Sequence, residues 1–393
     1  MITRIAIKNF RSLDVDFTLD PVTVIVGRSG TGKTNLIDAL RFLRKALSPQ
    51  QQIVDPKANV FSVTLPSTEP VSIRISFCHP KIYSNYVYEC SFVQMDTVKP
   101  NTIYQEKHPN SVIHESLSMG GEILFSREAS KWLVEPKMFK VPELKRQSLA
   151  LSSISGVQEI SFACLMLTDG LGCYDFPGLV CSEESKDEGR NEAGMLDNAR
   201  NYAATLSHIR SNLSRVEDWQ EIVGALKRLN NKIVSVDMDN QQQSKRLIVG
   251  HRLADDKVFM LDIANESEGF RRFLAHLLAL YQTPPKQTLI FEEPEKGIHP
   301  GALETLAEEL KAAPQDGRGQ VILTTHSPAL LDQFDPESIR VAEMKEHVTK
   351  IGKLVPEQLE SLKEELLRPG ELFTVDPARM AEMSVLPSKV AEE

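Results

Sequence analysis

An α/β fold organised around one phosphate-binding loop is what this sequence predicts, and three stretches predict it. The first is a strand, a glycine-rich turn and a helix in succession: Thr23-Val-Ile-Val26, then Gly27-Arg28-Ser29-Gly30-Thr31-Gly32-Lys33-Thr34, then Asn35-Leu-Ile-Asp-Ala-Leu. The second is the apolar run Thr288-Leu-Ile-Phe291, which ends in Glu292-Glu293-Pro294. The third is Val321-Ile-Leu-Thr324, which ends in Thr325-His326-Ser327-Pro328. Open α/β sheets collect ligands outside the carboxyl ends of their strands, so three apolar strands that each end in polar chemistry point to one shared edge.

The first stretch supplies the phosphate chemistry. Gly27, Gly30 and Gly32 let the backbone turn with its N–H groups inward, and the N-terminus of the following helix adds its dipole to the same concavity. A polyphosphate fits there. Lys33 is placed to reach the terminal phosphates as a point charge, and the Thr34 hydroxyl to hold a magnesium ion that bridges their oxygens.

The other two strands supply acids and an imidazole. Adjacent side chains on a strand point to opposite sides, so Glu292 and Glu293 are expected to have different tasks. Glu292 faces the metal, directly or through water, while Glu293 orients and deprotonates an attacking water. His326 is expected to hydrogen-bond a γ-phosphate and register its loss.

Composition sets the outer bounds. A chain of 393 residues with 41% hydrophobic content can bury one large core, or one core with a substantial insertion. Lys and Arg number 45 against 54 Asp and Glu, a net charge of −9, so nothing draws the whole chain to nucleic acid or anionic lipid and any such contact must be local. No leader and no apolar run long enough to span a membrane is visible, which predicts a cytoplasmic protein. Cys78, Cys90, Cys164, Cys173 and Cys181 are odd in number and form no C-x-x-C pair, so free thiols are expected and no zinc site.

In chain order, residues 1–70 read as the N-terminal part of the core, with strands around the turn Asn9-Phe10-Arg11-Ser12 and a first helix to about Ala46, stopped by Ser48-Pro49. Residues 71–140 carry short strands at Val71–Phe77, Tyr86–Phe92 and Ile113–Phe125, a β-rich lobe. Residues 141–232 read as an inserted helical lobe, with Leu196, Ala199, Ala203, Leu206, Ile209, Leu213, Val216, Val223 and Leu226 on a common seam. The polar stretch 182–194 within it reads as a solvated loop. Residues 233–345 return to the core. There Asp237 and Asp239 are a weak candidate for a metal pair, beside Gln- and Asn-rich sequence that favours a turn.

A second anion site is expected where Asn265-Glu-Ser267-Glu-Gly269-Phe-Arg-Arg272 opens a helix whose Phe273, Leu274, Leu277, Leu278 and Tyr281 form a buried stripe. Ser267 is also good N-cap chemistry on its own account. Residues 346–393 form a tail whose stretch 356–367 places Leu359, Leu362 and Leu366 on one helical face, either to pack on the core or to bind a partner.

Taken together, the phosphate loop, the Ser-x-Gly helix start, Glu292-Glu293-Pro294-Glu295 with Gly297-Ile298-His299-Pro300, and Thr325-His326-Ser327-Pro328 resemble the ABC-type ATPase heads of the RecF, SMC and OLD (overcoming lysogenization defect) group. More narrowly, the chain resembles small stand-alone bacterial AAA family ATPases of phage-defence operons. Weaker likenesses at Ile5-Ala-Ile-Lys-Asn-Phe-Arg-Ser12, Val112-Ile-His-Glu-Ser-Leu117 and Asn201-Tyr-Ala-Ala-Thr-Leu206 extend it over residues 2–335.

The resemblance implies a P-loop NTPase with ATP and Mg2+: Gly27 to Asn35 on the nucleotide, Lys33 on phosphate, Thr34 and Glu292 on the metal, Glu293 as base and His326 as switch. It implies that Ser267 and Gly269, with Arg272 behind them, act on the nucleotide of a second protomer, so that two heads sandwich two ATP molecules, and it places Arg11 near the nucleotide. Glu292 stands where many relatives have Asp, and no glutamine-loop residue is identified; Gln94 and Gln105 are unsupported candidates. OLD nucleases append a TOPRIM nuclease domain, for which residues 336–393 are too short.

The reading is thus a sensor or motor subunit of a phage-defence or DNA-maintenance assembly. Its effector, a nuclease or toxin, is expected on a separate protein, and its trigger is DNA or a phage protein. The alternatives are a nucleotide-gated scaffold and, less favoured, a transporter ATPase. The scaffold reading has ATP binding hold a partner, with turnover only as reset.

Overall fold

A computed structural model describes residues 1–48, 70–79, 83–93, 111–137, 142–143, 148–154, 156–178, 180–181, 194–212, 216–239 and 246–381. Gln94, Gln105, Leu213 and residues 182–193 lie outside that set.

The chain opens with an antiparallel pair, β1 (Ile2–Phe10) and β2 (Leu13–Thr18), then β3 (Val22–Val26), the phosphate loop and α1 (Lys33–Ala46). An antiparallel run follows: β4 (Val71–Cys78), β5 (Asn85–Val93), β6 (Ser111–Met119), β7 (Glu122–Glu128) and β8 (Lys131–Val134). The turn Gly120-Gly121, both with positive φ, divides into β6 and β7 what the sequence reads as one strand.

This run is not a separate lobe. β4 pairs with β1 from Ile2 opposite Phe77 to Lys8 opposite Ser72, so the expected β-rich lobe of 71–140 is a wing of the core sheet. Val71, Ile73, Ile75 and Phe77 alternate into the core and fix that register, since a slip of one residue turns them to solvent.

Residues 141–232 contain α2 (Gln158–Leu167), α3 (Tyr202–Ser211) and α4 (Val216–Leu229), but also β9 (Leu171–Tyr174). That strand lies within the stretch the sequence reads as an inserted helical lobe. Four residues are too few to show a period, so sequence gives no sign of it. On α4 the buried positions are Ile222, Ala225 and Leu226, and the predicted Val223 is half-buried.

The remainder comprises β10 (Ile233–Asp239), β11 (Arg246–Arg252) and β12 (Val258–Asp262), which form a small antiparallel sheet, then α5 (Glu268–Tyr281), β13 (Thr288–Glu292), α6 (Pro300–Gln315) and β14 (Gln320–Thr324). After these come α7 (Pro328–Leu331), β15 (Ile339–Lys345), β16 (Val348–Lys353) and α8 (Pro356–Lys363).

Among the described residues the main sheet has 13 strands in the order β8-β7-β6-β5-β4-β1-β2-β16-β15-β3-β14-β13-β9. β15, β3, β14, β13 and β9 are mutually parallel, so their carboxyl ends share one edge. Alternate residues on the central strands serve two cores. Ile25, Ile290 and Ile322 pack with Leu36, Ile37, Leu40 and Leu43 of α1 on one face. Val24, Val26, Leu289, Phe291, Val321 and Leu323 pack with α5 and α6 on the other. Each buried aliphatic side chain contributes about 1.5–3 kcal/mol, so the two cores hold the strand ends in place whatever the edge carries.

The segment expected as a tail begins inside the sheet, with β16. α8 buries Leu362 and rests Leu359 on the core, but the helix stops at Lys363 and Leu366 is 74% exposed. Glu365 turns left-handed, at φ 57°, which ends the apolar face short of Leu366. Beyond it, the Gly370 N–H donates to Asp332 Oδ1 at 2.7 Å and the Met380 N–H to Glu343 Oε1 at 2.7 Å, so the chain folds back on the core as far as residue 381. No helix among the described residues is long and apolar enough to cross a membrane, and all five cysteines are free.

Candidate functional site

The phosphate loop joins β3 to α1. Its last glycine is obligatory on two counts: Gly32 sits at φ 91°, and a Cβ there would lie 2.1 Å from Thr349 Oγ1. Thr349, at the start of β16, donates its one hydroxyl hydrogen to the carbonyl of Thr31 at 2.9 Å. Ser12 Oγ, 2.7 Å away, must then donate to Thr349 while it accepts from Asn35 Nδ2 at 2.8 Å. A β-turn, the helix and β16 thus clamp the loop from outside. Ser12 and Thr349 are functional supports that sequence reasoning missed, because neither belongs to the motif.

α1 starts at Gly32 with no side-chain cap. Its first-turn N–H groups therefore remain available to an anion. Lys33 Nζ donates to the carbonyls of Gly27 and Arg28 at 2.8 and 3.0 Å and lies 3.4 Å from Thr31 Oγ1, which holds the ammonium over the loop. Burial pushes its pKa down to about 8, against the pull of Glu293, Glu292 and Glu295. Arg28, Ser29 and Gly30 form the exposed tip of the loop.

Arg11 Nη1 donates to Asn35 Oδ1 at 3.1 Å and to Asp38 Oδ2 at 2.5 Å, which ties the β1–β2 turn to the first turns of α1. The same Asp38 takes Arg41, whose guanidinium also lies 3.5 Å from Glu292 Oε2. Asp38 and Arg41 were not singled out from sequence, although their spacing on one helix face makes such a pair readable afterwards.

Thr34 Oγ1 donates to Glu292 Oε1 at 2.5 Å, so the loop and the end of β13 meet directly. A hydroxyl and a nearly buried carboxylate together form a hard-oxygen pair of the kind Mg2+ accepts while keeping several waters and phosphate oxygens. The donor set therefore fits that ion.

Glu293 follows in a left-handed conformation, φ 46°, with its N–H donated to the carbonyl and hydroxyl oxygens of Thr324 at 3.0 and 3.2 Å. Non-glycine residues in this region are uncommon, and here the turn swings the carboxylate away from Glu292. Its Oε1 lies 3.3 Å from His326 Nε2 and its Oε2 3.1 Å from Lys296 Nζ. Burial and the nearby Lys33 ammonium lower the pKa of His326, which favours the neutral ring beside the Glu293 carboxylate.

Ser267 and Gly269 stand on another element, at the start of α5. Ser267 is the N-cap, its Oγ accepting from the Phe270 N–H at 3.2 Å, and it is exposed. Gly269 lies so close to the loop after β13 that a Cβ would fall 2.7 Å from the carbonyl oxygen of Gly297. Arg272 Nε donates to Glu268 Oε1 on its own helix at 2.9 Å. Its neighbour Arg271 is the one that anchors the turn, through the carbonyls of Ala264, Glu266 and Gly178.

Of the weak metal candidate, Asp237 pairs with Arg210 at 3.3 Å, and the side chain of Asp239 lies outside the described residues.

Comparison with known proteins agrees with this architecture. Residues 1–151 match a family model described as an AAA ATPase domain, and residues 195–332 one described as "AAA domain, putative AbiEii toxin, Type IV TA system". The chain is 24% identical over 396 residues to the Old nuclease of Escherichia phage P2, covering 91% of this chain but only 62% of that protein. Among solved structures it is similar to an SMC head bound to the C-terminal winged-helix domain of ScpA, with TM-score 0.55 and 14% identity over 92% of this chain and 99% of that one. It is also similar to the Smc head with an extended coiled coil bound to the C-terminal domain of ScpA derived from Pyrococcus furiosus, with TM-score 0.53 and 13% identity over 93% and 99%. The parallel sheet edge and the solved heads it superposes on show the fold of an ABC-type P-loop ATPase head, and the two segments that frame that edge are similar to AAA domain models.

Proposed function

We propose that this chain binds ATP with magnesium and hydrolyses it, and that two copies close around the nucleotides. The observation that carries the reading is the convergence of Lys33, Thr34, Glu292, Glu293 and His326 through the contacts at 2.5 Å and 3.3 Å that link three strand ends.

In this reading Lys33 and the N–H groups at the start of α1 hold the phosphates, releasing the lysine from the loop carbonyls it now bonds. Thr34 and Glu292 would hold magnesium, which would supply positive charge to the phosphate oxygens. Glu293 orients a water and takes its proton, with one carboxylate oxygen beside His326 and the other beside Lys296. His326, neutral, has a single ring N–H and gives it to the γ-phosphate. Ser267 and Gly269 serve the partner's nucleotide, since a hydroxyl that accepts from Phe270 still has its own hydrogen to give.

We infer further that the head is the sensor or motor of a phage-defence or DNA-maintenance assembly with a separate effector. Support comes from the phage P2 Old nuclease, of which this chain matches about three fifths, and from the toxin named in one matched family model. A second reading, a nucleotide-gated scaffold, is favoured by one observation: both solved heads carry a bound ScpA domain.

Single-turnover hydrolysis tests the chemistry. Glu293→Gln should keep ATP bound and slow the chemical step by ~10²-fold or more, the contribution of a positioned general base. A wild-type rate in that variant removes Glu293 as the base.

A further inference from the structure

We propose that Glu295 is a positioning residue for hydrolysis: it fixes the backbone of His326 so that the imidazole meets Glu293. This rests on the reading of Glu293 and His326 given above and adds a residue to it.

The argument begins with where the two switch elements end. β13 and β14 are parallel neighbours in register, Glu292 opposite Thr324, so the turns that follow them leave the sheet side by side. Without Glu295, the backbone tie between two such turns is the Glu293 N–H on Thr324. Glu295 adds the missing tie. Its Oε1 accepts from the Thr325 hydroxyl at 2.7 Å and from the His326 backbone N–H at 2.8 Å. Thr325 Oγ1 in turn accepts from the Ser327 N–H at 3.0 Å, so one carboxylate oxygen organises three consecutive residues around the histidine.

The second oxygen makes the case for function over simple scaffolding. Glu295 Oε2 is buried and has no hydrogen-bond partner among the described residues. A buried carboxylate oxygen without a donor is costly, and a neutral amide with its own second hydrogen bond would build the same turn more cheaply. Glu295 therefore acts on the site by holding the His326 backbone beside the Glu293 turn.

Four proteins test this in single-turnover hydrolysis with ATP affinity measured in parallel: Glu295→Ala, Glu295→Gln, His326→Ala, and the double variant Glu295→Ala with His326→Ala. Glu295→Ala should slow hydrolysis by about 10- to 100-fold while ATP affinity changes by no more than about twofold, the signature of a misplaced group and not of lost binding. Glu295→Gln keeps the accepting oxygen and should recover part of the rate; it also serves if the alanine variant does not fold. The decisive arm is the double variant. A residue that acts through His326 has nothing left to position once the imidazole is gone, so the double variant should be no slower than His326→Ala. Multiplication of the two single effects overturns the proposal. So does a full rate in folded Glu295→Ala when His326→Ala is slow, an outcome that leaves the reading of His326 intact. A wild-type rate in His326→Ala overturns both.

Discussion

The N-termini of α1 and α5 are both anion sites by sequence, yet the chain builds them in different ways. α1 begins on Gly32 with no side-chain cap, and what surrounds its first turn is a lysine and, through Thr34, a carboxylate from another strand. α5 begins on Ser267, whose oxygen is already engaged by the Phe270 N–H, at an exposed position against the Gly297 loop. An uncapped helix start leaves all its first-turn N–H groups to a ligand, whereas here the cap takes the Phe270 N–H and adds the hydrogen of its own hydroxyl. The first site is assembled within one chain. The second has a hydroxyl donor to contribute, but the guanidinium groups beside it, Arg271 and Arg272, are bonded to its own turn and helix.

The sharpest way to break this contrast is to remove the charge from the first site. Lys33→Ala should weaken ATP binding by ~10²-fold or more, since charge-assisted bonds to phosphate are lost from a nearly buried position. Titration of the variant with ATP and magnesium checks this, and near-normal affinity would mean that the loop binds by its backbone alone.

Next in size is the shared-site test. Ser267→Arg should bind ATP almost normally and fail to turn it over. Mixed with Lys33→Ala chains, it should regain activity, up to about half per dimer if the sites act independently, because one composite site then has both residues intact. Full turnover by Ser267→Arg alone would reduce Ser267 to a helix cap.

A pH series probes the first site without mutation. With its pKa pushed down to about 8, Lys33 loses its proton in the free protein as pH rises through 8, so ATP affinity should fall by up to about tenfold per pH unit above that value. Folding stability should move the other way. Between about 8 and the ordinary 10.5 the unfolded chain holds the Lys33 proton and the folded chain does not, so stability at this residue rises with pH. Affinity that stays flat to pH 9.5 would place the lysine outside the binding step.

The smallest effect separates the two duties of Ser267. Ser267→Ala removes the cap and should cost about 1 kcal/mol of stability, read from thermal or denaturant unfolding. Ser267→Asp keeps a capping acceptor but has no hydroxyl hydrogen, so it should be as stable as the wild type and still deficient in turnover. An Asp variant with normal turnover would show that the cap is all the serine provides.

The sequence by itself determined the pieces whose physics is local. A strand, three glycines, Lys33 and Thr34 in succession can form little else than a phosphate loop, and the Ser267 cap needs only its own first turn. Longer-range organisation was decided by the tertiary structure. β4 joins β1 across some seventy residues, turning an apparent lobe into a wing of the core sheet, and the four residues of β9 become a core strand only because β13 lies beside them. The supports of the site follow the same rule. Ser12, Thr349, Arg41 and Glu295 act through partners distant in sequence, and Thr349 is separated from Ser12 by 337 positions. Local spacing carries motifs because bonds within a turn depend on neighbours alone, but which distant side chains brace a motif depends on how the sheet brings its strand ends together, and no single segment encodes that.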